Sequence, residues 1–279
     1  DWSSDVYSSD LDLAPLLDGP TRVSLSPEAK KAIRDSHKVL KKIISSGQQV
    51  YGVNTGFGKL STVSIGPDDL KQLQLNLVRS HACGVGKPLD LGVTRITMVL
   101  KLMTWAKGYS GIRLELAQLL VDMLNHDILP IIPRKGSVGA SGDLAPLAHL
   151  ARALIGEGDV HFQDRIMPAM LALKEANLTP VVLEAKEGLS LINGTQVSTS
   201  LAIRALAESK KLIKTADISG ALSTEASLST RIVFSPKIHQ LKKHAGQSRS
   251  AANVFKMLKG SEIVLSHDDC GRIQDPYCV

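Results

Sequence analysis

The stretch Gly136-Ser137-Val138-Gly139-Ala140-Ser141-Gly142-Asp143-Leu144-Ala145-Pro146 holds the residues best suited to unusual chemistry. Small side chains crowd it, and a helix core disfavours that, since Gly costs about 1 kcal/mol against Ala there. What they permit is close approach of backbone atoms. In Ala140-Ser141-Gly142 the Gly142 nitrogen could close onto the Ala140 carbonyl carbon and release a water. Loss of the Ser141 hydroxyl as a second water would leave an electrophilic methylene made from the chain itself. The plain alternative is a Gly-rich loop feeding a helix, with Asp143 near the helix N-terminus, where an acid is favoured. Two other chemistries fail on spacing. A nucleophile elbow needs Gly-x-Ser-x-Gly, whereas the glycines around Ser141 stand at 139 and 142. A phosphate-binding loop needs Gly-Lys-Ser/Thr preceded by Gly five places earlier, but Gly58-Lys59 is followed by Leu60, and position 53 is Val.

Three further positions carry chemistry or plain structure. Tyr51 opens the Gly-rich loop Tyr51–Gly58 and is either a packing residue or a base. A phenol has a reference pKa of about 10, so a base role near neutrality needs a stabilised phenolate. His81 closes an expected helix, where a histidine is ordinarily a C-cap or dipole partner. Asn193-Gly194 would form a hairpin turn in an alternating context. Its surroundings have a helical pattern, so an interrupted helix is expected instead.

Gly136 to Leu150 resembles the signature of the aromatic amino acid ammonia-lyases, which make a methylidene-imidazolone (MIO) from Ala-Ser-Gly. Four more segments agree in the family's order: Tyr51-Gly52-Val53-Asn54-Thr55-Gly56-Phe57-Gly58, Asn76-Leu77-Val78-Arg79-Ser80-His81 with Gly84-Val85-Gly86, Lys186 to Gln196, and Gln274-Asp275-Pro276-Tyr277. Arg79-Ser80-His81, Gln196 after Asn-Gly-Thr, and Pro276 point to the histidine-specific branch. The resemblance implies an MIO formed from Ala140, Ser141 and Gly142, with no metal and no nucleotide cofactor. It implies Tyr51 as the base that takes a β-proton, and Tyr277 as a further catalytic residue. His81, Asn193 and Gln274 would bind substrate. L-histidine would yield trans-urocanate and ammonia. The family's homotetramer would be the partner state.

The family continues Gln-Asp-Pro-Tyr with Ser-Leu-Arg, where this chain reads Cys278-Val279. The resemblance therefore implies an N-terminal portion or truncated form, lacking the family's C-terminal helical half. Two alternatives stay open. One is an inactive truncated form that associates with full-length subunits; the other is a phenylalanine or tyrosine ammonia-lyase.

The elements that must position these residues are mainly helical. Hydrophobic residues make up 43% and aromatics 4% of 279 residues, with Leu and Ala abundant, a balance that favours helices over a β-sandwich. The expected fold is an N-terminal mixed α/loop active-site domain, residues 1–190, leading into a long-helix bundle begun by residues 191–279. Ser26-Pro27-Glu28 reads as an N-cap, first-turn Pro and first-turn acid. The helix that follows places Ile33, Leu40 and Ile44 on one face and stops at Gly47. Further helices are expected from Pro67 to His81, Val93 to Ala106, Ile112 to His126, Leu144 to Leu154, and Thr195 to about Thr230. A short strand pair is expected around Val160 and Val181-Val182-Leu183. Residues 242–262 read as an exposed stretch with a polar loop at Gly246, Ser248 and Ser250.

The net charge of +6 and pI of 9.2 invite a nucleic-acid role. Scattered basic residues and scarce aromatics argue against it. There is no apolar run of membrane-spanning length. Cys83, Cys270 and Cys278 form neither a disulfide framework nor a Cys-x-x-Cys site, which fits a reduced cytoplasm. Cys83 is expected to pack as a small hydrophobe.

Overall fold

The computed structural model describes residues 10–56, 65–66, 69–266, 269, 271 and 274. A 3-10 turn, Asp10–Leu17, precedes α1 (Pro27–Ser45). The Ser26 hydroxyl accepts from the Ala29 N–H at 3.2 Å, and Pro27 occupies the first turn, as the sequence pattern requires. Then come α2 (Leu70–His81), β1 (Val85–Pro88), α3 (Leu91–Ala106), α4 (Leu114–Asn125), β2 (Leu129–Pro130) and β3 (Pro133–Lys135). They are followed by α5 (Leu144–Leu154), β4 (Asp159–Phe162), β5 (Arg165–Pro168), α6 (Ala169–Glu175), α7 (Glu187–Ile192) and α8 (Gln196–Ala226). Last are α9 (Pro236–His239), α10 (Ala245–Met257) and α11 (Glu262–Leu265). The fold is mainly α.

Contacts divide the chain into two compact units, Asp1–Ala205 and Leu206–Val279, with the division inside α8. The first unit is organised around α3. Every residue from Gly92 to Leu102 is buried, as expected of a helix enclosed on all sides. Around it pack Leu116 and Leu120 of α4, Leu147 and Leu150 of α5, and Leu191 of α7. In the second unit Ala221, Val254, Leu258 and Val264 form a small core, with Phe234 packed against it. Asn253 Nδ2 donates to Asp217 Oδ2 at 2.6 Å, and Arg231 lies 4.7 Å from the Phe255 ring centroid.

Two small antiparallel sheets tie loops to the first unit. β1 pairs with β3, Val85 opposite Lys135 and Pro88 opposite Pro133, which brings the chain after His81 beside the chain that enters the Gly136 loop. β4 pairs with both β2 and β5.

Three expectations are corrected. The partners of the Val160 strand are β2 and β5, not Val181–Leu183. Gln163 and Asp164, at φ +49° and +58°, make a two-residue turn that folds β5 directly back onto β4. Residues 245–257 are helix, not polar loop: Ala251, Val254 and Leu258 recur at helical spacing and are buried, and this outweighs Gly246, Ser248 and Ser250. Cys83 is exposed rather than packed. Among the described residues no helix is long and apolar enough to cross a membrane.

Candidate active site

Residues 136–143 leave β3 and enter α5. Ala140 and Ser141 are exposed, Gly142 is half-buried and Asp143 is buried. The Asp143 N–H donates to the Gly194 carbonyl at 2.7 Å. Gly142 has φ +109°, and a Cβ there would run into that same carbonyl. Only glycine fits the conformation and the space together. The turn between α7 and α8, which carries exposed Asn193, therefore rests against the glycine end of Ala140-Ser141-Gly142. Ser137 Oγ donates to Asp143 Oδ1 at 3.2 Å and accepts from the Gly139 N–H at 3.3 Å, holding the loop's other end to the same carboxylate.

Beneath the loop lies a polar layer. The Asp143 carboxylate accepts from the Ser198 N–H at 2.8 Å and from Ser198 Oγ at 2.6 Å, so it bridges loop to α8 instead of capping its own helix. Lys101, buried in α3, donates from Nζ to the carbonyls of Ser190 (3.2 Å) and Asn193 (3.3 Å). Burial pushes its pKa down to about 7, against the opposing pull of the Asp143 charge. Gln196 Nε2 donates to Thr104 Oγ1 at 3.1 Å, while its buried Oε1 has no hydrogen-bond partner and faces the α-carbon of Gly194. At the start of α7 the buried Glu187 accepts from Arg113 Nε at 2.9 Å and Nη2 at 2.7 Å. Sequence reasoning missed Lys101. A single cation in the otherwise uncharged run Ile96–Ala106 was the available signal.

A profile of the aromatic amino acid lyase family matches residues 11–279. This chain belongs to that family. It is 48% identical to the histidine ammonia-lyase of Myxococcus xanthus over 91% of its own length and 50% of the relative's. It is 48% identical to that of Legionella pneumophila strain Paris over 94% and 52%. Among solved structures it resembles the histidine ammonia-lyase of Trypanosoma cruzi (TM-score 0.81, 37% identity, 91% of this chain and 48% of that one). It also resembles the phenylalanine aminomutase of Pantoea agglomerans (TM-score 0.87, 30% identity, 99% and 55%). The chain spans about half the length of the curated relatives it matches.

Of the positions that the lyase family resemblance singles out, the structure sets Gly142 of Ala140-Ser141-Gly142 against Gly194, the residue after Asn193. His81 is tied in indirectly. Its Nδ1 is 2.8 Å from the Leu77 carbonyl, and Gly84, three residues on, packs against Gly136. The Gly84 N–H donates to His149 Nε2 at 3.0 Å. Burial first, and then the Arg152 charge, hold His149 below the usual histidine range, which keeps that nitrogen free to accept. Tyr51 stands more than half exposed on the turn at 51–53. Gln274 is exposed in the second unit, and Tyr277 lies outside the described residues.

The residues present fit an MIO ring. The glycine whose nitrogen would close it has no room for a side chain. The two residues that would contribute the carbonyl and the methylene are small and exposed. Its holders would be the Gly194 carbonyl, Asp143 and the Asn193 turn.

Proposed function

We propose that this chain carries the ammonia-eliminating site of a histidine ammonia-lyase, converting L-histidine to trans-urocanate with an MIO made from Ala140, Ser141 and Gly142. The observation that supports the reading is the seating of Gly142 and the Asp143 N–H on the carbonyl of Gly194, the residue after Asn193. Identities of 46–48% to curated histidine ammonia-lyases, and of 37% to a solved one against 28–33% to solved aminomutases and an ergothionase, support histidine over the related substrates.

The chemical problem is a weakly acidic β-hydrogen and a poor leaving group. An MIO held there would supply an electrophile for the substrate amine. The chain's own residues do the rest. Tyr51, exposed on its turn, takes the β-proton onto its phenolic oxygen. Asn193 orients the amino-acid head from the turn that Lys101 and Asp143 hold. His81 reads the substrate from the end of α2, and Gln274 and Tyr277 are the remaining binding and catalytic residues of this reading. A homotetramer is part of this reading. Leu212, Ile213, Ile218 and Leu222 of α8, all more than half exposed, support it as apolar surface awaiting cover. A reduced, cytoplasmic setting accords with the free thiol of Cys83.

The test is urocanate absorbance from purified protein together with intact mass. Turnover that vanishes in Ser141→Ala, and a parent mass short by two waters, are the expected results. A folded, assembled sample that keeps the Ser141 hydroxyl and an open peptide would overturn the reading.

A further inference from the structure

Lys101 touches none of the reacting groups in the elimination described above, yet it is a lysine fully excluded from solvent in the middle of the first unit's core. A leucine or methionine there would pack without the desolvation that a charge suffers. What the lysine does instead is geometric. Its Nζ donates to the carbonyls of Ser190 and Asn193, at the end of α7 and in the turn that follows. The next carbonyl along, that of Gly194, receives the Asp143 N–H and abuts Gly142. The Asp143 carboxylate, held by Ser198 and Ser137, supplies the countercharge.

We propose that Lys101 is a positioning residue for the Ala140-Ser141-Gly142 loop: it fixes the Ser190–Gly194 turn so that the Gly194 carbonyl holds Gly142 and Asp143 in the backbone conformation from which the ring closes. The positioning role rests on the structure. Its consequence for ring closure rests on the function proposed above.

The experiment compares the parent chain with Lys101→Met, which keeps the volume and removes the donors. Two quantities are read: hydrogen exchange at the Asp143 amide, and intact mass. Asp143 is expected to exchange about tenfold faster in the variant, the loss of one well-held hydrogen bond, while amides inside α3 and α5 stay as protected as before. The two-water mass deficit is expected to disappear with it. A lysine that only fills its site would leave Asp143 exchanging in step with the rest of α5, and that result overturns the proposal. If the parent itself retains both waters, the ring reading falls, and Asp143 exchange still decides the positioning role. Should Lys101→Met not fold, Lys101→Gln keeps an amide donor of shorter reach. Accelerated exchange confined to Asp143 supports the proposal there too, and unchanged exchange overturns it.

Discussion

The loop at 136–142 and the layer directly beneath it obey opposite rules. Above, Ala140 and Ser141 are exposed and small. Below, Lys101, Asp143, Glu187 and Gln196 are polar or charged, and buried. Buried polar groups are costly unless paired, so a protein keeps such a layer where position matters more than stability. Under the proposed function the reacting atoms need access and freedom from side chains, whereas their supports need rigidity. Gly142 is where the two meet: exposed enough to belong to the loop, and pressed onto a carbonyl of the layer.

The sharpest way to break this division is at that meeting point. Gly142→Ala puts a Cβ against the Gly194 carbonyl and forces alanine to φ +109°. Turnover should fall at least about a hundredfold through misplacement alone. Stability should drop by about 1–3 kcal/mol for the strained backbone, read from urea unfolding. Ser141→Ala is the contrast: exposed, it should abolish turnover while stability stays within about 0.5 kcal/mol.

A wholly buried member of the layer should show the reverse. Glu187→Ala leaves the Arg113 guanidinium with only Glu184, at 3.3 Å, and the Val182 carbonyl, and should cost about 1.5–3 kcal/mol. The loss is measured by denaturant unfolding, and the two-water mass deficit should persist in whatever fraction stays folded. A Glu187 variant as stable as the parent would mean that α7 is not anchored by this pair.

The same contrast explains what could be read before the structure was seen. Helix α5 was legible to the residue, Leu144 to Leu154, because an apolar periodic run is bounded by glycines on both sides. The cap at Ser26 was legible because three residue types coincide. The interruption at Asn193-Gly194 was legible because a turn pair sat in a helical pattern. The loop itself was legible from its crowding of small residues. Its supports were not, since each is a long-range pairing: Asp143 finds Ser198 fifty-five residues on, and Lys101 finds Asn193 ninety-two residues on. Nothing local announces a partner at such distance. The β1–β3 pair escaped for another reason: three or four residues containing prolines carry no alternation to detect. In α10, glycine and serines read as turn formers masked an apolar stripe that tertiary packing rewards.

A milder probe of the layer is Ser198→Ala. It removes the 2.6 Å hydroxyl donor to Asp143 but leaves the backbone N–H of the same residue in place. A hydrogen bond to a carboxylate is worth about 1.5–3 kcal/mol, and the remaining donor keeps the effect at the lower end of that range. A stability loss of that size with a slower, not absent, mass deficit would place Ser198 among the supports. An unchanged loop and unchanged stability would show that the backbone donor suffices.

The smallest effect per step, and the most specific, is a pH slope. Lys101 has a pKa of about 7 in the fold and an ordinary value of 10.5 outside it. Below pH 7 the lysine is charged in both states, and the fold bears the full burden of burying it. As pH rises from about 7 towards 10.5, the folded lysine has lost its proton while the unfolded one retains it. The unfolded state then binds more protons, so stability must increase with pH across that window and level off above it. The slope from one group is at most about 1.4 kcal/mol per pH unit. Lys186 is also lowered by burial and adds a slope of the same sign, so the parent alone cannot isolate the effect. The difference between the parent and Lys101→Met at each pH cancels Lys186 and leaves Lys101. That difference should favour the methionine variant most at neutral pH and shrink towards pH 10.5, measured by urea unfolding. A neutral amine still has two N–H groups, one for each of the Ser190 and Asn193 carbonyls, so the turn stays held while the charge goes. A pH-independent difference would mean that the lysine is not desolvated in the native protein, and the contrast between an accessible loop and a buried support would lose its strongest member.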